Sequence, residues 1–131
     1  TMPMAGDALA RVLAFLELQA HVLIELEVKK TRIMIDPGIG FGKTVEQNFA
    51  LLARQRELLA LGYPLLAGWS RKSSLGVVTG LEVGERLLPS VVAAVLAAER
   101  GASVLRVHDV RATVQALAVW RKTVAADAAI N

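Results

Sequence analysis

Apolar positions in this chain follow a helical spacing over long stretches and form short continuous runs between them. The helical spacing predicts four helices, at residues 7–28, 46–61, 85–100 and from Asp109 onward. The apolar runs, each bounded by glycine, proline or polar residues, predict three strands, at residues 32–36, 64–68 and 103–107. A helical turn is expected at residues 73–78, inside the loop that follows the second strand.

A helix followed by three strand–helix pairs is typical of an α/β fold with parallel strands and right-handed crossovers. The chain has 131 residues, of which 54% are hydrophobic, so we treat residues 1–131 as one domain able to bury a core. A complete eight-stranded α/β barrel takes about 250 residues. The length therefore excludes a whole barrel within this chain.

Composition narrows the possible functions. With no cysteine, disulfides, thiolate metal sites and cysteine nucleophiles are excluded. No apolar run is long enough for a membrane span, and the first residues do not have the pattern of a signal peptide, so we expect a cytoplasmic protein without membrane contact. Aromatic residues are only 5% and no dense basic run occurs, which argues against nucleic-acid binding.

The net charge of +3 is unevenly distributed. Residues 1–70 carry seven basic and seven acidic side chains, whereas residues 71–131 carry eight basic and five acidic ones. An anion would therefore be drawn to the second half of the chain, unless these charges belong to an ordinary mixed surface.

The first predicted strand ends at Asp36, directly before a loop containing Gly38, Gly40 and Gly42. A carboxylate at a strand end can accept hydrogen bonds from an amino-pyrimidine edge. The spacing of the glycines fits neither a P-loop nor a dinucleotide fingerprint. The alternative is a turn that requires positive φ, with Asp36 capping it.

The other two strand ends carry cations. Lys72 and Ser73 follow the second strand in Gly68-Trp69-Ser70-Arg71-Lys72-Ser73-Ser74, where they could bind a carbonyl, a ring nitrogen or an anion, or form a solvated basic loop. Arg106 and His108 project from one face of the third strand, and an arginine within an apolar strand suggests a phosphate-type ligand. The alternatives are a salt bridge for Arg106 and a turn-forming hydrogen bond for His108.

Together, the segments IDPGIGFGKT, EQN, GWSRKS, ERL and RVHDV closely resemble the C-terminal part of dihydropteroate synthase, over about 90 residues from Thr31 to Thr123. The resemblance implies three C-terminal βα units of an eight-stranded TIM barrel, preceded by a helix. It also implies a transferase of folate biosynthesis. That enzyme condenses 6-hydroxymethyl-7,8-dihydropterin pyrophosphate with 4-aminobenzoate and is the target of sulfonamides.

The resemblance assigns roles to individual residues. Lys72, Arg106 and His108 would be catalytic, and the substrate-binding set would be Asp36, Phe41, Gly68, Lys72, Ser73, Arg106 and His108. Asp36 would hold the pterin, Phe41 and Ser73 would border the aminobenzoate pocket, and Arg106 with His108 would bind pyrophosphate. Mg²⁺ is expected as a cofactor, with its ligands outside this chain and on the substrate pyrophosphate.

Three readings compete with an active synthase. The chain could be an inactive fragment of the synthase, a non-enzymatic pterin- or phosphate-binding module, or a relative of the pterin-dependent methyltransferases. The family's first five strands are absent from the chain. Residues 18–31 also lack the glycine that the family usually has between this helix and the strand predicted at residues 32–36. Exposed sheet edges and the family's C-terminal helices lead us to expect a homodimer or a larger homo-oligomer.

Overall fold

A computed structural model describes the backbone of residues 5–130 and the side chains of residues 8–130. The helices are α1 Ala5–Glu25, α2 Val45–Ala53, α3 Ser73–Thr79, α4 Leu87–Glu99 and α5 Val110–Ile130. The strands are β1 Leu66–Ala67 and β2 Val104–Leu105. The predicted α/β class is confirmed, and the helical turn expected at residues 73–78 is α3. Within the described range, no helix has both the length and the apolarity needed to cross a bilayer.

The strands pair in parallel, as predicted. Leu66 lies opposite Val104 and Ala67 opposite Leu105. On the other side, Ile35 forms a single parallel bridge with Leu65, in which the Leu66 N–H donates to the Ile35 carbonyl at 2.8 Å. Three segments of the chain therefore run in the same direction, and the residues that follow them emerge at one edge of the sheet.

The predicted strand at residues 32–36 is wrong in extent. Residues Lys30–Arg32 form a 3₁₀ turn, and Ile35 alone makes a β bridge. Within the described part of the chain, this segment pairs on one side only, and the pairing cannot continue through Pro37, which has no N–H to donate. The other two strands are likewise shorter than predicted, with two residues each.

Packing rather than strand pairing holds this small sheet in place. The core combines buried residues from the helices, the sheet segments and the loops between them, namely Leu9, Leu16, Ile35, Ile39, Leu51, Leu52, Leu58, Leu65, Ala67, Trp69, Leu75, Ala93 and Ala97. The Trp69 ring is 2% exposed and lies 5.0 Å from the Phe49 ring, centroid to centroid. Burying large apolar side chains of this kind contributes about 1.5–3 kcal/mol each.

The predicted helix at residues 46–61 is interrupted. The α-helix ends at Ala53, and a 3₁₀ helix follows over Gln55–Leu61. Gly62, in the left-handed conformation at φ 84°, terminates the 3₁₀ helix. The reason is a contact distant in sequence. The buried Gln55 amide donates to the carbonyl oxygens of Ala97 at 2.9 Å and Arg100 at 3.2 Å, satisfying the last turn of α4.

Candidate active site

The glycine loop after Ile35 is closed by its own polar groups. The Gly38 N–H donates to Oδ1 of Asp36 at 2.8 Å, so Asp36 does cap this turn. The Lys43 ammonium donates to the carbonyl oxygens of Gly38 at 2.8 Å and Phe41 at 3.0 Å. Asp36 is exposed, and its second carboxylate oxygen accepts no hydrogen bond from the residues that the structure describes. That oxygen is available to a ligand.

A cavity of about 330 Å³ lies beside this loop. Asp36, Phe41 and Lys43 line it from the loop, and Arg11 and Phe15 line it from α1. Its volume falls within the usual range of small-molecule sites.

Lys72, in the loop after β1, reaches the glycine loop that follows Ile35. Its ammonium donates to the Ile39 carbonyl at 2.5 Å and lies 4.7 Å from the centroid of the Phe41 ring, a cation–π contact. Gly40 makes this approach possible because a Cβ there would lie only 3.1 Å from Cδ of Lys72. Gly40 also has a φ of +89°, which disfavours any other residue.

The surroundings of Lys72 lower the pKa of its ammonium group. Partial burial lowers the pKa of Lys72 below its ordinary value of 10.5, and the positive charge of Arg106 lowers it further. Lys43 acts in the same direction, while the Asp36 carboxylate opposes the shift. The ends of all three sheet segments are therefore electrostatically coupled at Lys72.

Asn48 connects the glycine loop to α3, a role that was not predicted from the sequence. Its fully buried amide oxygen accepts the Gly40 N–H at 3.0 Å, while its amide nitrogen donates to the Ser74 hydroxyl at 2.9 Å. One signal was available. Asn48, Leu51 and Leu52 share the inward face of α2, so a polar residue stands where the helical spacing calls for an apolar one.

Arg106 lies against the end of β1. A Cβ at Gly68 would come within 2.7 Å of Nη2 of Arg106, so the absence of a side chain at this buried glycine leaves room for the guanidinium group. Arg106 is exposed and forms no ion pair with any residue in the described range. The salt bridge considered for Arg106 from the sequence is therefore not formed within the described range.

Ser70 holds His108 at the end of β2. The Ser70 Oγ accepts the His108 backbone N–H at 3.2 Å and lies 2.8 Å from Nδ1 of the imidazole ring. Next to this pair, Nη2 of Arg71 donates to Oδ1 of Asp109 at 3.1 Å. The loops after β1 and β2 are therefore linked twice, through Ser70 and through Arg71.

The predicted site residues thus fall into two connected groups. Asp36, Phe41 and Lys72 surround the glycine loop, and Gly68, Arg106 and His108 lie where β1 and β2 end. Ser73 is exposed and begins α3, one residue after Lys72. Among residues 8–130, no group of three or more His, Asp or Glu side chains is placed to hold a metal ion.

Comparison with known proteins places this arrangement in a family. Residues 1–108 match the family described as pterin binding enzyme. The chain belongs to the pterin-binding enzyme family. Two curated relatives are dihydropteroate synthases, from Haemophilus influenzae at 41% identity over 92% of this chain and 44% of that protein, and from Escherichia coli K12 at 40% over 95% and 44%.

Solved structures give the same result. The dihydropteroate synthase of Xanthomonas albilineans in complex with 7,8-dihydropteroate superposes with a TM-score of 0.89 at 48% identity, over 92% of this chain and 46% of that one. The synthase of Yersinia pestis gives 0.90 at 36% identity, over 94% and 51%. The predicted resemblance to dihydropteroate synthase is confirmed, and the chain spans about half the length of the proteins that it matches.

We expect Asn48→Ala to lower the free energy of unfolding by about 3 kcal/mol, because it leaves a cavity and removes the partners of Gly40 and Ser74. Urea denaturation followed by circular dichroism measures this loss. Gln115→Ala, which truncates an exposed amide on α5, is the control and should change stability by less than about 0.5 kcal/mol. Equal effects of the two variants would contradict the structural role of Asn48.

We expect Arg106→Gln to raise the pKa of Lys72, because it removes a positive charge that disfavours the ammonium form. Asp36→Asn should lower the same pKa, because it removes a negative charge that favours that form. NMR titration of the Lys72 side chain distinguishes the two directions. Arg32→Gln, near the amino end of the sheet, should leave the pKa of Lys72 where it was. Shifts of the same sign in the two site variants would refute the coupling.

Proposed function

We propose that this chain provides three C-terminal βα units, preceded by a helix, of the TIM barrel of a dihydropteroate synthase. The reaction is the condensation of 6-hydroxymethyl-7,8-dihydropterin pyrophosphate with 4-aminobenzoate, which releases pyrophosphate in folate biosynthesis. Family membership supports this proposal, as do similar structures described with 7,8-dihydropteroate and with 4-aminobenzoic acid. The chain spans about half of its relatives, so the reaction is proposed for the protein that includes the rest of the barrel.

The observation that carries the proposal is the unneutralised Arg106. Its guanidinium group lies against Gly68 without an acidic partner among the described residues. Its positive charge lowers the pKa of Lys72. A folded protein that leaves cations close together without a counter-ion favours binding an anion there. Pyrophosphate carries several negative charges and fits this requirement.

Each substrate has a place in the proposed site. The free carboxylate oxygen of Asp36 accepts hydrogen bonds from the amino-pyrimidine edge of the pterin. Phe41 and Ser73 border the aminobenzoate, with the ring of Phe41 held beside the Lys72 ammonium at 4.7 Å. Gly68 keeps the end of β1 open for Arg106, which binds pyrophosphate together with His108.

The chemical step needs charge stabilisation more than a strong base. As the bond between the pterin methylene carbon and the pyrophosphate oxygen breaks, negative charge develops on the leaving group, where Arg106 and His108 stabilise it. Asp36 and Lys72 fix the pterin as its cation forms, and the aminobenzoate nitrogen then bonds to the methylene carbon and loses a proton to solvent. Mg²⁺ is part of this proposal, with its ligands expected outside this chain and on the substrate pyrophosphate.

We expect the chain to bind inorganic pyrophosphate, and Arg106→Gln to weaken binding at least about tenfold, a loss of ~1.4 kcal/mol. Isothermal titration calorimetry measures both affinities. Arg32→Gln removes the same charge near the opposite end of the sheet and should bind as the unchanged chain does. If the unchanged chain does not bind pyrophosphate, or if Arg106→Gln binds it equally well, the proposed site is wrong.

A second candidate function is a pterin- or phosphate-binding module without turnover of its own. The observation in its favour is that this chain spans about half the length of the proteins it matches, so it supplies only part of their structure. Mixing these 131 residues with both substrates and Mg²⁺ separates the candidates. Sustained pyrophosphate release would eliminate the module, and binding without release would support it.

We also propose that the chain associates with itself. An apolar groove between α2, α3 and α4 is lined by exposed side chains that include Val78, Leu88 and Val92, and a second copy of the chain would bury them.

We expect sedimentation equilibrium at micromolar concentration to show a dimer or larger species, because burial of this groove favours association. Leu88→Glu should shift the population toward monomer. Leu26→Glu is the matched control, because Leu26 is also 70% exposed but lies outside the groove. A monomeric unchanged chain would contradict the proposal.

A further inference from the structure

Within residues 8–130, the hydroxyl of Ser70 makes two hydrogen-bond contacts, both with His108. Ser70 follows β1 and His108 follows β2, so the parallel pairing of the two strands brings them side by side. The Ser70 side chain is largely buried, since the residue is only 9% exposed. Its oxygen accepts the His108 backbone N–H at 3.2 Å and lies 2.8 Å from Nδ1 of the ring.

The single proton of the hydroxyl decides which tautomer this contact favours. The His108 backbone N–H occupies one of the two lone pairs of the Ser70 oxygen, and a proton on Nδ1 would occupy the other and leave the largely buried hydroxyl proton without an acceptor. Nδ1 of His108 is its only acceptor among residues 8–130. The hydroxyl therefore donates to Nδ1, and the neutral imidazole carries its own proton on Nε2.

We infer that Ser70 is a positioning residue that fixes His108 as the Nε2–H tautomer and so presents an N–H donor to a phosphate-type anion. Nε2 is one ring carbon away from Nδ1 and its N–H points away from the Ser70 contact, and His108 is an exposed residue. In this tautomer a neutral imidazole donates to an anionic oxygen, whereas the other tautomer would direct a lone pair at it. The identity of the anion as pyrophosphate rests on the proposed function, but the tautomer does not.

NMR of the ¹⁵N-labelled chain, under conditions where the imidazole is neutral, tests the tautomer directly. Long-range ¹H–¹⁵N correlations should show Nδ1 of His108 as an unprotonated acceptor. Ser70→Ala should move the Nδ1 signal toward the averaged value of a ring that exchanges between tautomers, and Ser70→Thr, which retains a hydroxyl, should restore it. His21, the other histidine of the chain and exposed on α1, provides an internal reference that none of these variants should affect.

A matched control separates this effect from general loosening. Thr113→Val also deletes a buried hydroxyl near the start of α5, but that hydroxyl donates to the Asp109 carbonyl and has no contact with the His108 ring. It should leave the His108 signals unchanged. A proton found on Nδ1 in the unchanged chain, or identical His108 spectra in Ser70→Ala, would overturn the inference.

Pyrophosphate titration distinguishes failure of this inference from failure of the proposed function. Ser70→Ala should weaken pyrophosphate binding about fivefold, the value of one hydrogen bond. If the unchanged chain binds pyrophosphate and Ser70→Ala binds it equally well, Ser70 does not position His108 for the anion. If the unchanged chain shows the Nε2–H tautomer but binds no pyrophosphate, the tautomer assignment holds and the proposed function fails.

Discussion

The buried amide of Asn48 is the constraint on which the candidate site depends. One side chain accepts from the backbone of Gly40 and donates to the hydroxyl of Ser74, so it connects the glycine loop to α3. Lys72, directly before α3, then reaches the Ile39 carbonyl within the glycine loop. An amide suits this position because it offers one acceptor and one donor without burying a charge.

The order of elements could be predicted from the sequence, but their extents could not. Helical and continuous apolar patterns are local signals, and they correctly placed helices and parallel segments along the chain. Strand length instead depends on neighbouring edges, so the five residues predicted at 32–36 became one bridge at Ile35. Likewise, the break after Ala53 follows from the contact of Gln55 with Ala97, which lies 42 residues away.

The site shows the same division between local and distant information. Parallel topology predicted that Asp36, Lys72 and Arg106 would emerge at one edge of the sheet, and the structure places them there because each follows a parallel segment. Their roles toward substrates remain predictions. Ser70 and Asn48 were missed because their importance lies in partners on other elements, which no spacing along a single chain segment specifies.

The charge balance becomes informative only after the partners of each cation are known. Lys43 is used to close the glycine loop, and Arg71 is paired with Asp109, so neither charge is free for a ligand. Among the described residues, Lys72 contacts only a backbone carbonyl and an aromatic ring, and Arg106 has no ion pair. Lys43 and Arg71 therefore stabilise the loops, whereas Lys72 and Arg106 remain at the edge of the sheet where the strands end. An anion that neutralised Arg106 would also relieve the repulsion that lowers the pKa of Lys72, so binding at one residue must favour the charged form of the other.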